Sequence, residues 1–135
     1  MEKYSYIKSH SGSCRIFAAP FAVFLSDDDR NYVEPDISII CDLDKLDRKG
    51  CHGAPDWIIE IVSPGSRSMD YYTKLNKYHA AGVREYWLID PQKNRIIVYD
   101  FGNRNDISLY TLQDTVQTNF IGGLSINFSE MKLQT

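Results

Sequence analysis

The chain has 135 residues, with 15 Lys and Arg against 18 Asp and Glu for a formal net charge of −3, and it is 43% hydrophobic and 13% aromatic. That length holds one domain, and the apolar content is enough for a core, which excludes a mainly disordered chain. The acidic balance excludes a protein that coats nucleic acid or an anionic membrane by bulk electrostatics, so any phosphate-bearing partner must be handled locally.

Met1 to His10 carries Tyr, Lys and Ser without the apolar core of a signal peptide, and the longest apolar tract, Ile16 to Leu25, is broken by Pro20 well short of a membrane span. A cytoplasmic protein with no membrane partner is expected. Arg15 to Leu25 reads as a strand or strand pair, ending in the acidic turn Ser26-Asp27-Asp28-Asp29, whose carboxylates diverge and suit a solvated loop tip. A short strand follows Pro35, from Asp36 to Cys41, and then a charged loop from Asp42 to Pro55. Cys14, Cys41 and Cys51 are odd in number and match no framework, which predicts free thiols in a reducing compartment. Cys41, Cys51 and His52 lack the second pair of ligands that zinc needs.

Trp57 to Val62 is the next strand, and Ser63-Pro64-Gly65-Ser66 breaks it. Ser66 or Ser68 can cap a helix running to about Ala81, with Gly82 as its stop. Tyr86 to Ile89 and Ile96 to Val98 with Tyr99 are strands joined by the turn Asp90-Pro91-Gln92-Lys93-Asn94, and Ile107 to Leu112 and Leu124 to Phe128 add weaker segments. The strand at Trp57, the helix and the strand at Tyr86 form a βαβ unit with parallel strands. The strands at Asp36 and Trp57 need no crossover, so antiparallel pairing is the simpler choice. The expected fold is α/β in content, of the α+β kind, with a mixed central sheet and a crossover helix packed on it.

Antiparallel pairing has a chemical consequence, because the head of one strand lies beside the tail of the other. Asp36 then stands next to Glu60. Glu60 lies inside the apolar run Ile58-Ile59-Glu60-Ile61-Val62, where an uncompensated carboxylate costs several kcal/mol (roughly 2–7). A buried ion pair or hydrogen-bonded carboxyl would meet that cost without any function. On the helix, Asp70, Lys74 and Tyr78 recur at a spacing that shares one face, and the helix starts just past the strand end carrying Glu60. Two carboxylates and a lysine at one sheet edge suit metal-assisted phosphodiester hydrolysis. Magnesium or manganese on carboxylate oxygens polarises the phosphoryl group and acidifies a bound water, while an ammonium stabilises the developing charge. Ser63 and the helix start add donors that suit a phosphate oxygen.

The motifs Val33-Glu34-Pro35-Asp36, Gly53-Ala54-Pro55-Asp56-Trp57-Ile58-Ile59-Glu60-Ile61-Val62-Ser63-Pro64, Asp70-Tyr71-Tyr72-Thr73-Lys74 and Tyr78 through Pro91 resemble the Uma-two family of restriction endonucleases. That family lies in the PD-(D/E)xK nuclease-like superfamily, and the resemblance covers about Ala18 to Tyr99. It implies a restriction-endonuclease-like core and a Mg2+- or Mn2+-dependent enzyme that hydrolyses DNA. It assigns Asp36 and Glu60 as metal ligands, adds the main-chain carbonyl of Ile61, and supplies the catalytic lysine from the helix as Lys74. The superfamily's usual lysine position holds Val62 here. Asp70 and Tyr78 would orient Lys74 or contact phosphate. The leading helix of such proteins would be shortened within a single domain spanning 1–135, with Glu2 its only acid. The alternative is a catalytically inactive nuclease-fold module for binding or assembly, in which Lys74 only neutralises Glu60. The aromatic content leaves room for a homodimer.

Overall fold

Alternation of apolar side chains between two faces organises the whole molecule. The computed structural model describes residues 14–26, 30–103, 106–118 and 125–130. Its strands are β1 (Arg15–Ala18), β2 (Val23–Phe24), β3 (Ile37–Ile40), β4 (Cys51–His52), β5 (Trp57–Ile61), β6 (Glu85–Asp90), β7 (Arg95–Asp100), β8 (Asp106–Tyr110), β9 (Thr115–Gln117) and β10 (Ser125–Asn127). Six of them form one sheet in the order β1-β3-β5-β6-β7-β8. Within it β5 and β6 are parallel, while β3 and β5 are antiparallel in the register Ile37↔Ile59, Ser38↔Ile58 and Ile39↔Trp57. The sheet is therefore mixed, as the connection lengths predict.

Trp57 and Ile59 point to one face with Ile37, Ile39, Trp87, Ile89 and Val98, and that face is covered by Val116, Ile126 and Phe128 from the antiparallel pair β9–β10 and its C-terminal turn. Ile58 and Val62 point to the other face with Tyr86 and Leu88, under the helix residue Tyr78. Glu60 shares the parity of Ile58 and Val62, so its side chain is carried to the helix side.

The expected helix is not uniform. After a 3-10 turn at Pro64–Ser66, Met69–Thr73 form a π-helical turn and Lys74–Ala81 the α-helix proper, α1. The Tyr86 hydroxyl donates to the Asp70 carbonyl at 2.9 Å, and the Lys74 N–H goes to the Met69 carbonyl instead. A side chain inserted into the ladder thus widens the turn. Gly82 ends α1 in the left-handed conformation at φ 99°, as the sequence suggests.

Two further expectations are corrected. The 42–55 segment contains β4, which pairs in parallel with β2 to form a second small sheet. Cys14 and Cys41 are not free thiols but a disulfide. β1 and β3 are antiparallel with Arg15 opposite Ile40, so the next pair outward is Cys14 opposite Cys41. The pairing of strands, which residue spacing does not reveal, brings the two together. Cys51 alone is free, and buried. The reducing compartment accordingly loses the free-thiol ground on which it rested. Among the described residues no helix is long and apolar enough to cross a membrane. The acidic turn at 27–29, the leading segment with Glu2 and the start of the Leu124–Phe128 segment lie outside the described residues.

Candidate active site

The antiparallel register sets Asp36, just before β3, beside Glu60 near the end of β5. The two are joined in both directions: the Asp36 N–H donates to Glu60 Oε1 at 2.8 Å, and the Ile61 N–H donates to Asp36 Oδ2 at 2.7 Å. From the helix side, Lys74 Nζ donates to Glu60 Oε2 at 3.0 Å and the Tyr78 hydroxyl donates to the same oxygen at 3.0 Å. Lys74 Nζ also lies 3.2 Å from Asp70 Oδ1, a charge contact without hydrogen-bond alignment, while Ser66 Oγ donates to Asp70 Oδ2 at 2.6 Å. Asp36, Glu60, Asp70, Lys74 and Tyr78 therefore form one connected cluster at the carboxyl end of β5.

The cluster has a dry side and a wet one. Glu60 and Asp70 are each 2% exposed, while Asp36 and Lys74 are half-buried and bring solvent to its edge. Burial raises the Glu60 carboxyl above its ordinary range, opposed by the Asp36 N–H bond and the Lys74 charge. Burial pulls Lys74 the other way, but the Glu60 and Asp70 carboxylates outweigh it and the ammonium is held more firmly protonated. Burial, then the adjacent Glu60 charge, push the Tyr78 phenol strongly up. Lys74 and Tyr78 both keep their protons at neutral pH.

The donor set suits a divalent cation in charge and in unoccupied oxygens. Among the described residues three carboxylates, those of Asp36, Glu60 and Asp70, face the single ammonium of Lys74, so carboxylates outnumber cations there. Glu60 Oε2 is taken by Lys74 and Tyr78, but Oε1 accepts only the Asp36 N–H, and Asp36 Oδ1 accepts no hydrogen bond among the described residues. Hard oxygens from two carboxylates fit Mg2+ or Mn2+, which keep much of their water and take few protein ligands. Among the described residues no three His, Cys, Asp or Glu side chains are arranged to hold a metal together, so the fit is to a largely hydrated ion and not to an all-protein cage.

Ser63 is not drawn into the cluster. It is exposed and its hydroxyl donates to Ser66 Oγ at 3.1 Å, so Ser66, anticipated only as a cap, is the serine that reaches the acids. Tyr86 and Trp87 are fully buried and serve packing. A neighbouring polar group was missed altogether. Asp90, at the end of β6 and fully buried, is paired with Arg67 and accepts from the Tyr71 hydroxyl at 2.7 Å, which in turn accepts from Arg95 at 3.0 Å. Its only sequence signal is an aspartate closing an apolar strand, and that is also how an ordinary turn begins. Glu85, at the far end of β6, is a further buried carboxylate, accepting from Trp87 Nε1 at 2.8 Å and Thr118 Oγ1 at 2.7 Å.

Residues 4–129 match the model of the Uma2 family, described as "Putative restriction endonuclease". Among solved structures, a crystal structure of "a putative nuclease belonging to DUF820" from Anabaena variabilis is similar, with a TM-score of 0.72 and 22% identity over 96% of this chain and 75% of that one. That likeness shows the fold. No curated protein matches.

Proposed function

Given that the chain belongs to the Uma2 family, we propose that it is a metal-dependent endonuclease that hydrolyses phosphodiester bonds of DNA, with Asp36 and Glu60 holding Mg2+ or Mn2+ and Lys74 as the catalytic cation. The observation that carries this reading is the meeting of Lys74 and Asp36 on one buried carboxylate, Glu60. A cation bound there would polarise a phosphoryl oxygen and acidify a water. Lys74 is pre-positioned by Glu60 and Asp70, and as a firmly protonated group it donates to charge developing on the phosphoryl oxygens without taking a proton from water. Tyr78 holds Glu60 in place from below the helix. Asp70 and Ser66 hold the other side of Lys74.

Plasmid nicking in Mg2+ or Mn2+ tests the proposal. Asp36→Ala, Glu60→Ala and Lys74→Ala should each slow cleavage by about a hundredfold or more. An inert wild type, or variants that cut as well as wild type, would refute it. One observation favours the second reading, a non-catalytic module: Lys74 already neutralises Glu60 at 3.0 Å. Under that reading Mg2+ leaves the melting point unchanged, whereas a bound ion raises it by mass action. For a homodimer, the support is the outermost strand β8, where Ile107 and Leu109 are 62% and 65% exposed on one face.

A further inference from the structure

The turn at 64–74 has two faces. Ser66, Asp70 and Lys74 look toward Glu60, while Arg67 and Tyr71, one position on, look toward Asp90 and Arg95. On that second face is an open cleft of about 470 Å3 whose lining includes Arg67, Tyr71, Tyr72, Lys93 and Arg95. Three cations meet there on a chain whose net charge is −3. Asp90 is the one carboxylate among the described residues that faces the three, paired directly with Arg67 and acting on Arg95 only through space. The Arg95 guanidinium has one neutral acceptor, the Tyr71 hydroxyl, and its Nε is buried without a partner. The Lys93 side chain makes no hydrogen bond or ion pair among the described residues. Arg67 and Arg95 both lie over the Tyr71 ring, at 5.9 and 5.7 Å from its centroid, so the forks are held in place by stacking. Tyr72, at the rim, is 69% exposed.

Positive charge beyond what buried Asp90 requires, presented by pre-oriented guanidinium groups, is the chemistry of an oxyanion such as phosphate. An exposed ring beside it is the chemistry of a base. The cleft also shares its wall with the carboxylate cluster, and both open at the carboxyl ends of the parallel strands β5 and β6, where open sheets of this kind bind ligands. We propose that this cleft docks a backbone phosphate of a nucleic-acid strand through Arg67, Lys93 and Arg95, with the adjoining base stacked on Tyr72. The identity of the strand rests on the nuclease reading above. A strand with one phosphodiester at Asp36 and Glu60 continues over the 64–74 turn into the cleft.

The test is fluorescence anisotropy of a labelled single-stranded oligonucleotide in chelator, so that binding is read without turnover, across a series of salt concentrations. Lys93→Ala and Arg95→Ala should each weaken binding severalfold and flatten the plot of log affinity against log salt by about 0.7, the loss of one single-strand phosphate contact. Tyr72→Ala should weaken binding about fivefold with the salt slope unchanged, and Tyr72→Phe should restore it. The control is Arg48→Ala, an exposed cation in the loop joining the opposite ends of β3 and β5, which removes the same charge. If Lys93→Ala and Arg95→Ala change affinity and slope no more than Arg48→Ala does, the docking site is overturned, as it is if wild type binds no strand. Should Arg95→Ala fail to fold, Lys93→Ala and Tyr72→Ala, both at exposed positions, decide the matter. Cleavage measured alongside separates the two readings. Cleft-dependent binding without cleavage leaves the docking site standing and removes the nuclease. Cleavage with unchanged KM in the cleft variants does the reverse.

Discussion

Lys74→Met is the most informative single change, because it removes the one ammonium that faces Glu60 among the described residues while keeping the length of the side chain. At 3.0 Å and an effective dielectric near 20 the pair has a gross attraction of about 5.5 kcal/mol, and breaking a buried pair from one side typically costs ~3–5 kcal/mol. Two features lower that figure. Lys74 is 25% exposed, so water screens part of the interaction. Glu60 can also escape by taking a proton: from an ordinary glutamate value of 4.5, neutralising it at pH 7 costs about 3.4 kcal/mol, which caps the penalty. A destabilisation of about 2–3 kcal/mol is therefore expected near neutral pH, or roughly 8–10 °C in Tm for a chain of this size. The native Glu60 pKa is already above its unfolded value, so the native state holds the extra proton, and stability falls as pH rises from the unfolded value through the native one. Lys74→Met raises the native value further and extends this window upward. Its cost should be small near pH 5 and full near pH 8. Urea denaturation at both pH values, for wild type, Lys74→Met, Glu60→Gln and the double variant, measures this directly, and the double variant should recover most of the loss. A Lys74→Met cost below about 1 kcal/mol near pH 8, or the same cost at both pH values, would refute the reasoning.

Three other outcomes are expected. Because metal binding needs the ionised form of a Glu60 whose pKa is raised, the gain in Tm from Mg2+ should grow as pH rises from about 5.5 to about 8, as read by thermal shift; a gain that is flat or inverted would remove Glu60 from the ligand set. Under denaturing but non-reducing conditions thiol titration should find one free cysteine, Cys51, and reduction should expose two more, with a loss of about 3.5 kcal/mol of stability from the chain-entropy effect of a link across 27 residues. Native Cys51 should resist alkylation, since it is fully buried and burial pushes its thiol up to about 11. Gly50→Ala should cost more than about 2 kcal/mol by chemical denaturation, because Gly50 has φ 144° and a Cβ there would lie 2.1 Å from the Ala22 carbonyl oxygen, which accepts the Cys51 N–H beside the β2–β4 pair.

Much of the central site was legible because it follows from short-range rules. A glutamate inside an apolar run has to be compensated, the spacing of Asp70, Lys74 and Tyr78 places them on one helix face, and an antiparallel β3–β5 pair brings Asp36 to Glu60. Each of these depends on period and strand direction, which residue order carries. The clustering of these side chains is a finding of the structure, while their catalytic roles remain the subject of the proposal above. The π-turn was not legible, because it arises where the Tyr86 hydroxyl takes the Asp70 carbonyl from 16 residues away. The Cys14–Cys41 bond was illegible for a related reason: it depends on β1 and β3 being neighbours in a particular register.

By itself, the sequence determined the order of the central elements, β3, β5, the helix, β6 and β7, the mixed sheet built on a βαβ unit, and a buried carboxylate in need of partners, because hydrophobic periodicity and turn chemistry are local properties. Only the tertiary structure decided which partners Glu60 has, that Ser66 and not Ser63 reaches Asp70, and that Arg67, Tyr71, Lys93 and Arg95 line one cleft. Those contacts join residues on different elements, and their geometry is set by how a sheet and a helix pack, which no stretch of sequence contains.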